Sequence, residues 1–150
     1  MVRSEMNTKR LGELLVNKGL LSQARLTAAL QEQRTTQEFL GALCVRKGWV
    51  SEDALLDALA EQFGMPRAHM EQEQIDEAVA KRFSPALLRE HHCLPLRLDG
   101  QAVVVAIANP LDAWAVSELE REAGLYQVRL ALAPAKDIDV AVARLQQVVG

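Results

Sequence analysis

Apolar residues recur at helical spacing in two stretches near the N-terminus, and the two stretches share one pattern. When residues 11–33 are placed over residues 40–62 with a shift of 29 and no gap, 12 of the 23 aligned positions are identical. The identical pairs are Leu11/Leu40, Gly12/Gly41, Leu14/Leu43, Val16/Val45, Lys18/Lys47, Gly19/Gly48, Ser22/Ser51, Leu26/Leu55, Ala29/Ala58, Leu30/Leu59, Glu32/Glu61 and Gln33/Gln62. Helical patterning constrains polarity but not identity, so the match indicates a duplicated unit.

Each copy predicts two helices joined by a tight turn. In the first copy, Leu11, Leu14 and Leu15 form an apolar stripe, Gly19 is suited to the left-handed position after a helix, and Ser22 is suited to cap the next helix. The second copy repeats the scheme with its own glycine and serine. We therefore expect two equivalent αα-hairpins, packed together about a local pseudo-twofold axis.

The remainder of the chain mixes helical and strand patterns. A glycine and a proline at 64 and 66 break the second hairpin. Beyond them the predicted helices are 73–83, a short one that starts at Ser84-Pro85, 111–123, and 134–148; the predicted strands are 93–98, 102–108 and 126–132. This order implies a three-stranded mixed sheet with a right-handed strand-helix-strand crossover.

The predicted fold class is α+β. A tandem αα-hairpin subdomain of four helices spans 1–62, with its repeats at 10–33 and 39–62. A linker follows at 63–71, and a small three-stranded α/β sandwich at 72–150.

Composition and charge narrow the function. The chain has 150 residues, 49% hydrophobic and 4% aromatic, with a formal net charge of −3. An acidic chain with few aromatic residues is poorly suited to nucleic acid, so a DNA-binding helix-turn-helix protein is the weakest alternative. Cys44 and Cys93 lack zinc spacing and are expected to be reduced and half-buried. Without a leader or an apolar run of about 18 residues, the expected compartment is the cytoplasm.

Familiar catalytic motifs are absent. The chain has no phosphate-binding G-x-x-x-x-G-K-[ST], no G-x-G-x-x-G, no G-x-S-x-G and no H-E-x-x-H. The adjacent His91 and His92 would point about 100° apart on a helix and could not share one metal ion. We therefore expect a binding module with no catalytic residues, no metal and no cofactor of its own.

The repeat also carries a family resemblance. The stretch from Arg10-Leu11-Gly12 to Gln33, followed after a spacer by Leu40-Gly41 to Gln62, resembles the tandem 24-residue motifs of the MshEN domain. Residues 106–112, Ala-Ile-Ala-Asn-Pro-Leu-Asp, resemble the D-P-x-D stretch in the α/β half of that family. The MshEN domain is the N-terminal region of ATPases that drive type II secretion and type IV pilus assembly, and the GspE-type secretion ATPase is the nearest expectation.

The resemblance implies docking and regulation upstream of a motor. Such ATPases form hexamers at the cytoplasmic face of the inner membrane, and the N-terminal domain binds the cytoplasmic domain of a GspL-like bitopic membrane protein. ATP and Mg²⁺ belong to a later P-loop domain of the family chain. The present chain then resembles an isolated N-terminal fragment, with Gly150 as a plausible cut point, peripheral to the inner membrane through its partners.

The resemblance further implies a cyclic di-GMP site in the tandem motif. The ligand is a twofold-symmetric dianion, and a duplicated motif offers it two equivalent half-sites. Arg10 could stack on a guanine or pair with a phosphate. By the family pattern, the other candidate residues are Leu11, Gly12, Leu26, Leu30 and Gln33 in the first copy, Leu40, Gly41, Leu55, Leu59 and Gln62 in the second, and Asn109 in the α/β half.

Two interpretations of these candidate residues stay open, as core positions and as ligand contacts. From periodicity alone, the leucines are the core of the hairpins rather than ligand contacts. Two positions also depart from the family pattern, because Phe39 stands where a second Arg could stand and Asn109 replaces an acidic residue. The first hypothesis is therefore a docking domain that also responds to cyclic di-GMP, and the alternative is a stand-alone cyclic di-GMP sensor.

Overall fold

The chain folds into two compact units, Met1–Gly64 and Met65–Gly150. The computed structural model describes residues 2–147; the predicted helix end at Val148 and the expectation for Gly150 lie outside this range. The first unit is helical, and the second combines helices with a three-stranded sheet. The predicted α+β class is confirmed.

Four helices form the first unit. They are α1 (Val2–Asn17), α2 (Gln23–Thr36), α3 (Leu40–Arg46) and α4 (Glu52–Phe63). Helix α1 packs on α4, and α2 packs on α3. The repeat exchanges these two pairs, since α1 corresponds to α3 and α2 to α4. The two hairpins therefore pack crosswise, with each first helix against the second helix of the other copy.

The predicted turns and caps of the repeat are confirmed. Gly19 and Gly48 have φ values of +73° and +75°, which side chains with a Cβ rarely adopt. Ser22 accepts a hydrogen bond from the backbone N–H of Arg25 at 3.2 Å, and Ser51 accepts one from Ala54 at 3.1 Å. Each cap satisfies a donor that a helix N-terminus otherwise leaves unpaired.

The duplicated glycines allow a close helix contact inside each hairpin. A Cβ on Gly12 would stand 2.7 Å from a δ-methyl carbon of Leu26, and one on Gly41 would stand 2.6 Å from a δ-methyl carbon of Leu55. Real Cβ atoms do not approach so closely. The same glycine-leucine contact is thus built twice, and it explains why both residues are retained in the two copies.

Reciprocal ion pairs link the two copies. Lys18 of the first copy pairs with Glu61 of the second at 2.5 Å, and Lys47 of the second pairs with Glu32 of the first at 2.7 Å. A shift of 29 residues converts one pair into the other. Ion pairs at the surface contribute little to stability, so we use them here only as evidence of how the two copies are arranged. They show that the two copies occupy equivalent positions.

The second unit is built on a mixed sheet. Strands β1 (Cys93–Asp99), β2 (Ala102–Ile107) and β3 (Gln127–Leu132) lie in that order, with β1 antiparallel and β3 parallel to β2. In the described part of this unit, residues 65–147, the helices are α5 (Glu77–Ala80), α6 (Pro85–Glu90), α7 (Ala113–Ala123) and α8 (Ala135–Gln147), and a 3₁₀ turn spans Met70–Gln72. The predicted three-stranded mixed sheet is confirmed.

One predicted helix is wrong in length. Periodicity predicted a helix over 73–83, but only Glu77–Ala80 is helical. The backbone N–H of Asp76 donates to the carbonyl of Leu96 at 2.7 Å, which holds the preceding segment beside β1. The Asp76 carboxylate then accepts from Ala78 and Val79. An aspartate that caps a helix sets its start, so the helix cannot extend back to 73.

Residues 65–68 lie beside the sheet. The predicted linker at 63–71 begins with Phe63, which is the last residue of α4. Arg67 then bridges to Leu132 in parallel, and the backbone N–H of Ala68 donates to the Leu132 carbonyl at 2.8 Å. These contacts satisfy backbone groups at the outer edge of β3, which has only β2 as a strand neighbour.

Candidate functional site

An open groove runs along the surface of the helical unit between α1 and α4. Its volume is about 340 Å³, and it is lined by Arg10, Glu13, Leu14, Asn17, Glu61 and Gln62. Arg10 is exposed. Because α1 begins at Val2, Arg10 lies well inside the helix. The groove thus presents one guanidinium, two carboxylates, two amides and the half-buried side chain of Leu14.

The groove joins the start of one motif to the end of the other. Arg10 opens the first motif, and Gln62 closes the second. The family pattern placed Gln33 in the same half-site as Arg10, whereas in the structure Gln62 lines the groove with Arg10. The crosswise packing of α1 on α4 produces this pairing. A ligand in the groove would therefore contact both copies at once.

Most of the candidate leucines lie in the core. Leu11, Leu40 and Leu59 have no exposed surface, and Leu26 and Leu55 are 6% and 5% exposed. Leu30 is half-buried. Gly12 and Gly41 are buried against Leu26 and Leu55. The space beside each glycine is therefore filled by a leucine of the same chain. Periodicity predicted that the leucines form the core of the hairpins, and the five buried leucines do so.

The corresponding region of the second copy is closed by internal contacts. The Gln33 amide donates to the backbone carbonyl of Glu38 at 2.9 Å. The Arg46 guanidinium donates to both carboxylate oxygens of Glu38, at 3.1 and 2.8 Å, and to Glu32 at 2.7 Å. These hydrogen bonds hold the pKa of Glu38 below its usual value and raise that of Arg46. Phe39, half-buried, lies next to Gly41.

Asn109 belongs to the other unit and has a local role. Its side-chain oxygen accepts a hydrogen bond from the backbone N–H of Leu111 at 2.9 Å, which shapes the turn before α7. Asp112, at the end of the same stretch, accepts from the N–H of Ala115 at 3.1 Å and caps that helix. The structure therefore assigns turn and capping contacts to this stretch.

The histidines and cysteines show no shared site. The Nδ1 atom of His91 lies 2.7 Å from Asp112, and that of His92 lies 2.7 Å from Asp139, so the two imidazoles face different carboxylates. Cys44 and Cys93 are fully buried rather than half-buried. Burial raises the pKa of the Cys93 thiol to about 12, and Asp112 and Glu122 act in the same direction. Such a thiol stays protonated near neutral pH.

Residues 2–147 contain neither a clustered metal site nor a helix suited to cross a membrane. No group of three or more His, Cys, Asp or Glu side chains in this range is placed to hold a metal ion. Within the same described range, no helix is both long enough and apolar enough to span a bilayer.

Sequence reasoning missed several groove residues. Glu13, Leu14, Asn17 and Glu61 line the groove but were not among the candidates. Leu14 and Glu61 are duplicated positions, so the repeat itself could have pointed to them. Glu13 and Asn17 follow Arg10 at steps of three and seven along α1, and helical spacing predicts that they share its face.

Comparison with known proteins identifies a family and relatives that match most of the chain. A family model for the MshEN domain matches residues 63–149. The type IV pilus assembly ATPase PilB of Myxococcus xanthus is 29% identical over 135 residues, which are 90% of this chain and 24% of that protein. PilB of Thermus thermophilus is 32% identical over 119 residues, 78% of this chain and 13% of that protein. The chain spans a quarter or less of either relative.

Solved structures resemble the chain over nearly its full length. A structure of MshE with cyclic di-GMP (cdg) has a TM-score of 0.81 and 28% identity, covering 90% of this chain and 97% of that one. The N-terminal domain of XpsE has a TM-score of 0.77 and 25% identity, covering 91% of this chain and 93% of that one. Both matches extend over the helical repeat as well as the α/β unit.

Proposed function

Because the chain belongs to the MshEN domain family, we propose that it is the docking and regulatory domain of a GspE-type secretion ATPase. In this proposal its helical unit binds the cytoplasmic domain of a GspL-like inner-membrane protein. The observation that carries the proposal is that residues 1–64 form a unit with a core of its own and leave one face of α2 exposed. ATP hydrolysis and hexamer assembly are assigned to a motor domain elsewhere in the full-length protein.

The exposed face of α2 is suited to contact with another surface. Of its 14 residues, only Leu26 and Ala29 are buried. The exposed positions Ala24, Thr27, Ala28 and Gln31 follow one another at steps of three, one and three, so they share one helix face. Small side chains at a helix contact allow the two backbones to come close together. This α2 face, defined by these four residues, is the proposed docking surface.

We expect bulky charges on the α2 face to disrupt docking. The double substitution Ala24→Arg and Ala28→Arg should weaken binding to the cytoplasmic domain of the GspL-like partner by at least about tenfold, because a tight contact would need to accommodate two desolvated charges. Arginine is favourable in helices, so the fold should persist. Co-purification of the two proteins measures the effect.

A matched control is available on the α/β unit. Val140 is 47% exposed on α8, and Val140→Arg adds the same side chain there. The control variant should co-purify as well as the wild type. Equal retention of the α2 variant and the control would move the interface away from α2. Point variants are preferable to deleting 1–33, since that deletion removes the packing partners of both α3 and α4.

Cyclic di-GMP binding is the second candidate function, and the Arg10 groove favours it. The groove offers the Arg10 guanidinium to an anionic ligand, and the Glu61 carboxylate on its wall is paired with Lys18. The MshE structure that this chain resembles contains cyclic di-GMP. In this proposal the ligand lies in the helical unit, and its binding reports to the motor through the docking contact. A stand-alone sensor would bind the ligand but not the membrane partner.

A further inference from the structure

The charged residues near the start of the first copy, beside the groove, differ from those at the corresponding positions of the second copy. A shift of 29 residues relates Arg10 to Phe39 and Asn17 to Arg46. The same shift relates Lys9 to Glu38. The second copy therefore lacks an arginine at Phe39 and has one at Arg46. Next to Phe39, the carboxylate of Glu38 takes the place of a lysine. The counterpart of the groove still has an arginine, one that lies about two turns further along its helix.

The polar residues of this counterpart region are held by one another. Arg46 donates in a bidentate manner to Glu38, with Nε to one oxygen at 3.1 Å and Nη2 to the other at 2.8 Å. The same Nη2 donates to Glu32, the counterpart of the groove residue Glu61. Gln33, the counterpart of Gln62, donates to the Glu38 carbonyl. Glu38 thus engages both groups that would face a ligand.

A carboxylate in this arrangement resembles a bound phosphate. Guanidinium forks bind carboxylate and phosphate oxygens in the same bidentate geometry. The pair lies at the surface, with side chains 51% exposed for Arg46 and 30% for Glu38. Exposed ion pairs are weak, and a second anion can replace the first at low cost.

We propose that Arg46 supplies the cation of the second cyclic di-GMP half-site and that Glu38 blocks it until a ligand phosphate takes its place. This inference rests on the proposed binding of cyclic di-GMP. It gives the ligand a charged contact in each copy, Arg10 in the first and Arg46 in the second. It also explains how a motif with Phe39 in place of an arginine retains a cation for a twofold-symmetric dianion.

Calorimetric titration of the full chain with cyclic di-GMP tests the exchange. Arg46→Gln should weaken binding by about tenfold, because one charge-assisted contact is lost. Glu38→Gln should strengthen binding by roughly threefold to tenfold, because the ligand no longer competes with the bidentate carboxylate and Arg46 keeps only its single contact with Glu32. In the double variant, Glu38→Gln should give no gain, since the guanidinium that it releases is absent.

A second arginine supplies the control. Arg121 on α7 donates to Glu118 with the same two distances, 3.1 and 2.8 Å, and it is likewise exposed. Arg121→Gln and Glu118→Gln change the net charge by the same amounts as the test variants. Both controls should bind cyclic di-GMP as the wild type does. Thermal unfolding followed by circular dichroism shows that each variant is folded.

The outcomes separate this inference from the function on which it rests. If the wild type binds and folded Glu38→Gln binds within about twofold of it, Glu38 is not a competitor and the inference is wrong. A gain that survives in the Arg46→Gln background, or that appears in Glu118→Gln, reflects net charge alone and also overturns it. If neither the wild type nor Glu38→Gln releases heat, both the inference and the ligand proposal fail. Heat only with Glu38→Gln supports the blocking role.

Discussion

Replacing Arg10 with alanine is expected to weaken binding of cyclic di-GMP by roughly tenfold to a hundredfold. A charge-assisted hydrogen bond contributes about 1.5–3 kcal/mol, which corresponds to that range of affinity. Arg10 is the arginine of the groove, where it faces Gln62 from the other copy. Its side chain is exposed within α1, so removing it should leave the fold intact. Titration calorimetry measures the change, with a circular dichroism melt as the folding control.

The matched control removes one arginine from the α/β unit, outside the helical unit that contains the groove. Arg144 is exposed in the last turn of α8, and Arg144→Ala should bind as the wild type does. If Arg10→Ala bound cyclic di-GMP with the affinity of the wild type, the ligand would lie outside the groove. Equal weakening in both variants would show that the affinity depends on net charge and not on the groove.

Replacing Leu11 with alanine is expected to reduce the free energy of unfolding by about 2–5 kcal/mol. Leu11 has no exposed surface, so truncation removes apolar contacts and leaves a cavity between packed helices. Urea unfolding followed by circular dichroism measures the loss. The prediction separates the two readings of the motif leucines, since a residue whose role is ligand contact would change affinity with little effect on stability.

Leu125 is the control for this stability prediction. Its side chain is fully exposed, at 102%, so Leu125→Ala should change the free energy of unfolding by less than about 0.5 kcal/mol. If Leu11→Ala were as mild as Leu125→Ala, the buried position of Leu11 would be contradicted.

Local signals in the sequence predicted the elements of the helical unit well. The glycines at 19 and 48 need a positive φ, and the serines at 22 and 51 need only a neighbouring backbone N–H, so short-range rules suffice to place them. The extent of the helix over 73–83 was wrong because the Asp76 contact with Leu96 joins distant residues. Periodicity carries no information on such a contact.

The candidate site was harder to predict than the fold. Identity between the copies includes three residues of the groove, Leu14, Glu61 and Gln62, but it could not tell a duplicated core position from a duplicated surface position. Leu11 and Leu40 are identical because both fill the core, and Lys18 and Lys47 because each pairs with the other copy. Arg10 and Gln62 line one groove because α1 packs against α4, and the order of residues along the chain does not specify this packing.

The proposed docking of this chain on a GspL-like membrane protein can be tested by direct titration. The intact chain is titrated by calorimetry with the purified cytoplasmic domain of that protein. We expect saturable heat with a dissociation constant of about 10 µM or tighter, and loss of that heat in the variant with Ala24→Arg and Ala28→Arg. No heat at about 100 µM of each folded protein would contradict the docking function.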